Sequence, residues 1–255
     1  MKKEIIETRI DESIRLSDMY TLLKLSPPTG RTFVGTRPGQ FVEVQIPGAD
    51  VLLRRPISVN NIDEQGRLWL LVRKAGRGTS KLVEMKAGES LNIVTPLGNG
   101  FTTRIQPDSR VLLVGGGVGV APLLYLGKYL KDSGVAVEFL LGARSKVDLL
   151  ELSEFEKIAP VYISTDDGTE GEHGLVTTNS VMSRDWDMVC CCGPAPMMKA
   201  VARICRERKI ECEVSLENMM ACGLGACLCC VEKTVKGNVC VCTEGPVFNI
   251  KELTW

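Results

Sequence analysis

Four of the chain's eleven cysteines fall within ten residues, A-C-G-L-G-A-C-L-C-C (221–230), and the whole set lies between Cys190 and Cys242. A disulfide scaffold would spread its crosslinks through a shorter secreted chain, and an odd number leaves one thiol over. Metal or redox chemistry is the better reading. Cys222-x4-Cys227-x2-Cys230 is the plant-type spacing for a [2Fe–2S] cluster, whose fourth ligand comes later in the chain. Thiolates suit such a centre because they are soft, anionic donors. Gly223 and Gly225 allow left-handed backbone angles that aim amide N–H groups at the cluster sulfurs. Cys240 and Cys242 both precede T-E-G-P-V-F, and spacing does not choose between them. Structural zinc is the competing reading, but it favours C-x2-C pairs, and here the first gap is four. Inert packing as small hydrophobes suits Cys190, Cys191 and Cys205, on an expected core strand and helix. Cys229, between two ligands, is read as a non-ligand.

A second candidate is V-G-G-G-V-G-V-A-P, 114–122, directly after an apolar run. Glycines there permit a tight turn and close approach to a pyrophosphate at the start of a helix. Gly117-x-Gly119-x-x-Pro122 departs from the dinucleotide fingerprint at its last position, where proline suits a helix's first turn. No acidic residue closes the second strand; L-L-G-A-R-S offers Arg144 instead, so NAD and NADP stay undistinguished. A third is R-R-P-I-S-V, 54–59, with R-K-A-G-R-G-T-S, 73–80. There Arg55 can meet a diphosphate, the Ser58 hydroxyl a ring, and the backbone N–H groups of Gly78 and Thr79 the same phosphates. Taken alone, that pair is as readily a surface arginine and a turn.

The elements that must hold these groups follow from patterning. Residues 1–100 read as short strands such as G-Q-F-V-E-V-Q-I and G-R-L-W-L-L-V-R-K, separated by S-P-P-T-G and D-E-Q-G, hence a barrel or sandwich. From V-L-L-V-G-G-G onward, apolar strands alternate with helices: A-P-L-L-Y-L-G-K-Y-L, D-L-L-E-L-S-E-F-E-K-I-A and A-P-M-M-K-A-V-A-R-I-C-R-E-R-K. That alternation predicts a doubly wound parallel sheet. The expected domains are 1–103, 104–210 and a cysteine-rich module, 211–255. With 31 basic and 31 acidic residues, no net field argues for nucleic acid or anionic lipid. No signal peptide and no apolar run of membrane-spanning length is apparent, so a cytoplasmic protein is expected. The one histidine, His173, lies in the polar turn T-E-G-E-H-G and reads as solvated surface. No His-dependent catalysis is expected.

Taken in order, these motifs resemble the flavin reductases of the ferredoxin–NADP reductase type: R-P-x-S and G-T on a barrel, then G-G-G-x-G-x-A-P and C-G-P. Within that superfamily, S-L-E-N-M-M-A-C-G-L-G-A-C-L-C-C-V-E-K and C-T-E-G-P-V-F are similar to the electron-transfer subunits of type B (NAD-dependent) dihydroorotate dehydrogenase, and the likeness spans essentially all of the chain. The resemblance implies an antiparallel Greek-key barrel, a nucleotide domain and a small C-terminal [2Fe–2S] module. It implies FAD held by Arg55, Pro56, Ile57 and Ser58, with Leu71, Val72 and Arg73 on the next strand and Gly78 and Thr79 at the phosphates. It places the nicotinamide dinucleotide at Gly115, Gly116, Gly117, Gly119 and Pro122, with Cys192 and Gly193 near the reacting ring. It selects Cys242 over Cys240, giving Cys222, Cys227, Cys230 and Cys242 as ligands. The implied partner is an FMN-containing subunit that oxidises dihydroorotate, in a heterotetramer, with electrons passing by way of the cluster and FAD to NAD⁺ in pyrimidine biosynthesis. A related subunit of a sulfhydrogenase or a bifurcating NADH–ferredoxin oxidoreductase, and a zinc-bearing non-redox module, are the alternatives. An apolar docking patch is expected around Met219, Met220 and Leu224.

Overall fold

Period-two alternation builds the first sheet. In S-L-N-I-V-T-P-L, Leu91, Ile93, Thr95 and Leu97 are buried and the residues between them only partly so, as a strand with one face on a core requires. The computed structural model describes residues 3–33, 35–48 and 51–255, and within them the chain forms two units.

The first unit takes the chain up to Gly100 together with 218–232 and 238–246. It contains β1 (Glu4–Arg15), β2 (Tyr20–Ser26), β3 (Phe41–Val44), β4 (Arg55–Ser58), β5 (Asn61–Ile62), β6 (Leu68–Arg73), the short helix α1 (Arg77–Leu82) and β7 (Ser90–Leu97). The strands are bonded in the order β4-β3-β7-β1-β2-β6-β5, every pairing antiparallel. β4 and β6 are far apart in that order yet approach each other, so the sheet curls into a barrel. Register shifts between Phe41 and Glu43 where β3 meets β7. Such irregularities bend a strand and re-aim its side chains. The D-E-Q-G turn is held by Asp63, whose carboxylate accepts from the Gln65 and Arg67 amides, Arg67 Nε and Trp69 Nε1.

The second unit takes Phe101–Glu217, Lys233–Gly237 and Val247–Trp255. Here β8 (Arg110–Gly116), α2 (Ala121–Asp132), β9 (Ala136–Ala143), α3 (Leu152–Glu156), β10 (Val161–Thr165), β11 (Glu172–His173), β12 (Met188–Cys192), α4 (Ala195–Arg208) and β13 (Glu211–Ser215) follow one another. Strands β14 (Val231–Thr234) and β15 (Gly237–Cys240) pair with each other, and the one-turn α5 (Val241–Glu244) leads to β16 (Val247–Asn249). The large sheet has the order β11-β10-β9-β8-β12-β13-β16, parallel except where β16 meets β13. The chain builds outward from β8 to β10, then returns to the other side of β8. This reversal opens a crevice at the carboxyl ends of β8 and β12, where open parallel sheets bind ligands.

One expectation needs correction. D-L-L-E-L-S-E-F-E-K-I-A is not one helix: only Leu152–Glu156 coils, because Glu151 just before it is left-handed (φ 53), which a right-handed helix cannot continue through. Residues 211–255 contribute to both units. β13 and β16 extend the nucleotide sheet, while the cysteine loop belongs with the barrel. The charges of E-C-E-V-S disguise a strand in which Cys212 and Val214 are buried and Glu213 bonds the amide and hydroxyl of Thr102. Cys190, Cys191 and Cys205 are fully buried, as packing requires, and His173 is exposed. No helix among the described residues is long and apolar enough to cross a membrane.

Candidate functional site

The cysteine loop is pinned at both ends. Asn218 bonds Glu232 across its base (3.0 Å). Beyond it, the Asn99 side-chain amide donates to the carbonyls of Thr243 and Glu244, and the Asn99 backbone N–H donates to Gly245 O at 2.6 Å. Between these anchors Gly223, Gly225 and Leu228 are left-handed. The turn they make points amides inward: Leu224 N–H meets Cys222 Sγ at 3.3 Å, and Cys242 N–H meets Cys230 Sγ at 3.4 Å. Burial alone would raise the Cys222 thiol, but the amides of Leu224, Cys227 and Ala226 and the Cys227 side chain bring it down to about 6. Cys242 is fully buried; burial and the neighbouring Cys230 push its thiol up to about 12.

Backbone amides thus meet two of the four thiols expected as ligands, Cys222 and Cys230, and the second of these amides belongs to a third, Cys242. Among the described residues no three metal-ligating side chains converge on one ion. A two-iron, two-sulfide centre takes two thiolates on each iron, and the donor set fits that group. A single tetrahedral ion needs all four sulfurs around one point.

Beneath the loop lies a residue the sequence reading passed over. Glu43, on β3, is fully buried, and neither carboxylate oxygen has a hydrogen-bond partner among the described residues. A Cβ on Gly223 would come within 2.7 Å of Glu43 Cγ, so that glycine is required both for its left-handed angle and for this contact. Burial first, then the charge of Cys222, push the Glu43 carboxyl up to about 7, against the opposing guanidinium groups of Arg54 and Arg55. A lone acid in F-V-E-V, where all four residues are buried, was the available signal, since such groups are rarely buried without a partner. The folded chain holds this proton at pH values where the unfolded chain, ionising near 4.5, has lost it. Its contribution to stability is therefore complete below that lower value and is lost as pH rises through about 7. In urea unfolding of the metal-free chain, wild type should lose on the order of 3 kcal/mol relative to Glu43→Gln between about pH 5 and 8. A difference between the two that does not change with pH would place the titrating group elsewhere.

On the same barrel, Arg55, Pro56, Ile57 and Ser58 form β4, at one end of the ladder and half-buried. Glu43 stands opposite Pro56 in the β3–β4 register. Arg55 donates to the carbonyls of Leu53 and Arg54 (2.8 and 3.0 Å). Its guanidinium also lies against Gly78, where a Cβ would sit 2.9 Å from Nε. R-P-x-S and G-T are thus brought together, a planar cation beside a backbone turn, the donor set that phosphoryl oxygens match. The Thr79 hydroxyl accepts from the amides of Ala75 and Gly76, so it shapes the turn. Leu71 and Val72 are buried in the core and Arg73 is exposed.

In the second unit the glycine turn lies at the β8/β12 reversal. Gly115 and Gly116 end β8, Gly117 turns left-handed (φ 55), and Pro122 sits in the first turn of α2. A Cβ on Gly119 would fall 2.5 Å from Gly193 Cα and 2.6 Å from Cys192 O. The two motifs therefore pack backbone against backbone, with Gly193 at φ 156. Cys192 is buried, its sulfur 4.0 Å from Glu217 Oε1. This floor without side chains fits a dinucleotide's pyrophosphate.

Three family models match in chain order. Residues 7–101 match the oxidoreductase FAD-binding domain, 113–203 the oxidoreductase NAD-binding domain, and 217–254 the iron-sulfur cluster binding domain of dihydroorotate dehydrogenase B. The dihydroorotate dehydrogenase B (NAD(+)) electron transfer subunit of Shouchella clausii is 41% identical over 226 residues, 86% of each chain. That of Clostridium acetobutylicum is 36% identical over 253 residues, 99% of this chain and 98% of the relative. The chain belongs to the dihydroorotate dehydrogenase B electron transfer subunit family. Among solved structures, a chain of the NADH-dependent reduced ferredoxin-NADP oxidoreductase superposes with a TM-score of 0.86 at 31% identity, covering 97% of this chain and 90% of that one. The ferredoxin reductase of a carbazole 1,9a-dioxygenase, 18% identical with a TM-score of 0.69, shares the fold. Within the family frame, the FAD-binding match covers β4 and Gly78, the NAD-binding match covers the β8/β12 crevice, and the cluster match covers all four cysteines expected as ligands.

Proposed function

We propose that this chain is the electron-transfer subunit of an NAD-linked dihydroorotate dehydrogenase of pyrimidine biosynthesis, acting in the cytoplasm beside an FMN-containing catalytic partner. The observation that carries this reading is a cysteine loop with amides aimed at Cys222 Sγ and Cys230 Sγ, grouped with a barrel that also presents Arg55 against Gly78. When bound, FAD exchanges electron pairs as hydride with a nicotinamide and single electrons with a [2Fe–2S] cluster, which is the conversion such a subunit needs. The protein's part is to hold and tune. The four thiolates would carry the irons, and the amides of Leu224 and Cys242 aimed at sulfur would stabilise negative charge there. Arg55 and the Gly78–Thr79 turn would take the FAD diphosphate. The Gly115–Gly119 turn would seat the dinucleotide's pyrophosphate, with Cys192 and Gly193 near the nicotinamide ring.

Several apolar side chains on the loop are open to solvent: Met219 is 83% exposed, Leu228 64% and Leu224 50%. Grouped apolar exposure of this kind marks a docking face, and it suits the FMN-bearing partner. A second reading, as a subunit of an NADH-dependent ferredoxin–NADP oxidoreductase, is favoured by the 31% identical structure.

Reconstitution separates them. The isolated chain should reduce a dye with NADH and leave dihydroorotate untouched. With the FMN-containing subunit added, dihydroorotate should reduce NAD⁺. Oxidation of dihydroorotate by the chain alone, or transfer only from reduced ferredoxin, would overturn the proposal.

A further inference from the structure

The helix that follows the C-G-P turn begins on a rigid mount. Pro194 caps α4 and Pro196 lies in its first turn, so the ring of each fixes φ there. Met198 N–H closes that turn on Pro194 O at 3.1 Å. Pro194, Ala195 and Pro196 are exposed, whereas Met198 is packed in the core. Between them, Met197 is half-buried. Its thioether lies across the place where the two glycine motifs meet. A Cβ on Gly116 would fall 2.6 Å from Met197 Sδ and 3.1 Å from its Cε, and one on Gly193 would fall 2.6 Å from the same Cε. Both positions must be glycine for Met197 to lie there. Gly116 ends β8 and Gly193 directly follows β12, so the side of the thioether turned away from the glycines borders the crevice at the carboxyl ends of those strands.

We propose that Met197 is a contact residue for the nicotinamide half of the dinucleotide, its thioether forming the apolar wall beside Gly193 against which the ring rests. The inference rests on the reading of the crevice as the dinucleotide site and adds a residue to it. The mount is fixed, while the side chain has three rotatable bonds and a polarizable sulfur that meets aromatic rings at their edge. It can therefore follow the ring without moving the backbone. The residues beside it do not offer such a wall: Gly116 and Gly193 carry no side chain, and Cys192 is buried. No bond is made or broken by Met197, so it acts on affinity and on the placement of the ring.

Calorimetry on the purified chain with its cofactors in place tests this with two ligands, NAD⁺ and ADP-ribose, which differ only in the nicotinamide. Wild type should bind NAD⁺ the more tightly. Met197→Ala should weaken NAD⁺ by at least about threefold, as loss of a sulfur–ring contact gives, and ADP-ribose by less than about twofold. Met197→Leu restores an apolar wall of similar volume and should return NAD⁺ to within about twofold of wild type. FAD content should be the same in all three. An equal loss on both ligands would show that Met197 only props the glycine turn. Unchanged NAD⁺ affinity, or a wild type that does not distinguish the two ligands, would show that the ring does not meet it. Each of these overturns the proposal and leaves the crevice as the dinucleotide site; a wild type that binds neither ligand would overturn both. Should Met197→Ala fail to fold, as judged by circular dichroism, Met197→Gln keeps the length over Gly116 and Gly193 and removes the thioether. The same selective loss is expected of it, and its absence would reject the contact.

Discussion

Replacing Cys222 by alanine should strip the chain of iron, from about two atoms to near none, and leave FAD in place. The expectation follows from the separation of the two binding features on the barrel. Cys222 is served by the amides of Leu224, Cys227 and Ala226. Arg55 and Gly78, which would hold the flavin diphosphate, belong to β4 and α1. Removing one thiolate leaves an iron with an open position in a loop partly exposed to water, where Cys227 and Cys229 are already accessible. NADH-dependent dye reduction should then continue at close to the wild-type rate, since that reaction needs only flavin and nicotinamide. Transfer from the FMN-bearing partner should fall by at least about a hundredfold, as expected when a connecting redox centre is removed. Visible absorbance reads both outcomes in one spectrum. Full iron in the variant would show that Cys222 is not a ligand.

Gly119→Ala should disrupt the glycine turn of the nucleotide unit. Its Cβ would meet Gly193 Cα at 2.5 Å and the backbone of Cys192 and Gly193 at 2.6 Å. No side-chain rotation relieves a clash between backbones, so the turn carrying Gly115–Gly119 must move away from the C-G-P turn. Overpacking of this kind costs about 1–3 kcal/mol. Because the displaced atoms are those that would face a pyrophosphate, the Kd for NADH, measured by calorimetry, should rise at least tenfold with FAD content unchanged. Gly117→Ala is the control. Its added Cβ meets nothing within 4 Å, and only the left-handed backbone at φ 55 is unfavourable, at about 1 kcal/mol. An equal loss of affinity in both variants would point to general destabilisation rather than to the Gly119–Gly193 approach.

What the residues disclosed in advance, and what they hid, divides along the range of the interactions. The spacing of Cys222, Cys227 and Cys230 is local chemistry, readable without a fold, as was the strand–glycine–helix run ending at Pro122. The alternation in S-L-N-I-V-T-P-L and in the strands after Ile105 was enough to separate a barrel from a parallel sheet. Long-range placement was hidden. Glu43 becomes significant only because the cysteine loop, some 180 residues later in the sequence, folds over β3. The strand Glu211–Ser215 was masked by two glutamates, one of which is satisfied by Thr102, more than a hundred residues away. Cys240 and Cys242 were equivalent by spacing; the fold buries Cys242 with its N–H on Cys230 Sγ and turns the Cys240 thiol to Gly225 O. The helix expected over D-L-L-E-L-S-E-F-E-K-I-A failed at a single left-handed residue, Glu151, which no periodicity reveals.

The wild-type arm of the Cys222 comparison tests the central claim most directly. Protein purified without oxygen is mixed with NADH, frozen, and examined by metal analysis and low-temperature paramagnetic resonance. About two irons per chain and an iron–sulfur signal that appears only after NADH is added are expected. Zinc in place of iron, or an iron signal indifferent to NADH, would contradict the assignment of these four thiols to a redox centre served by the flavin.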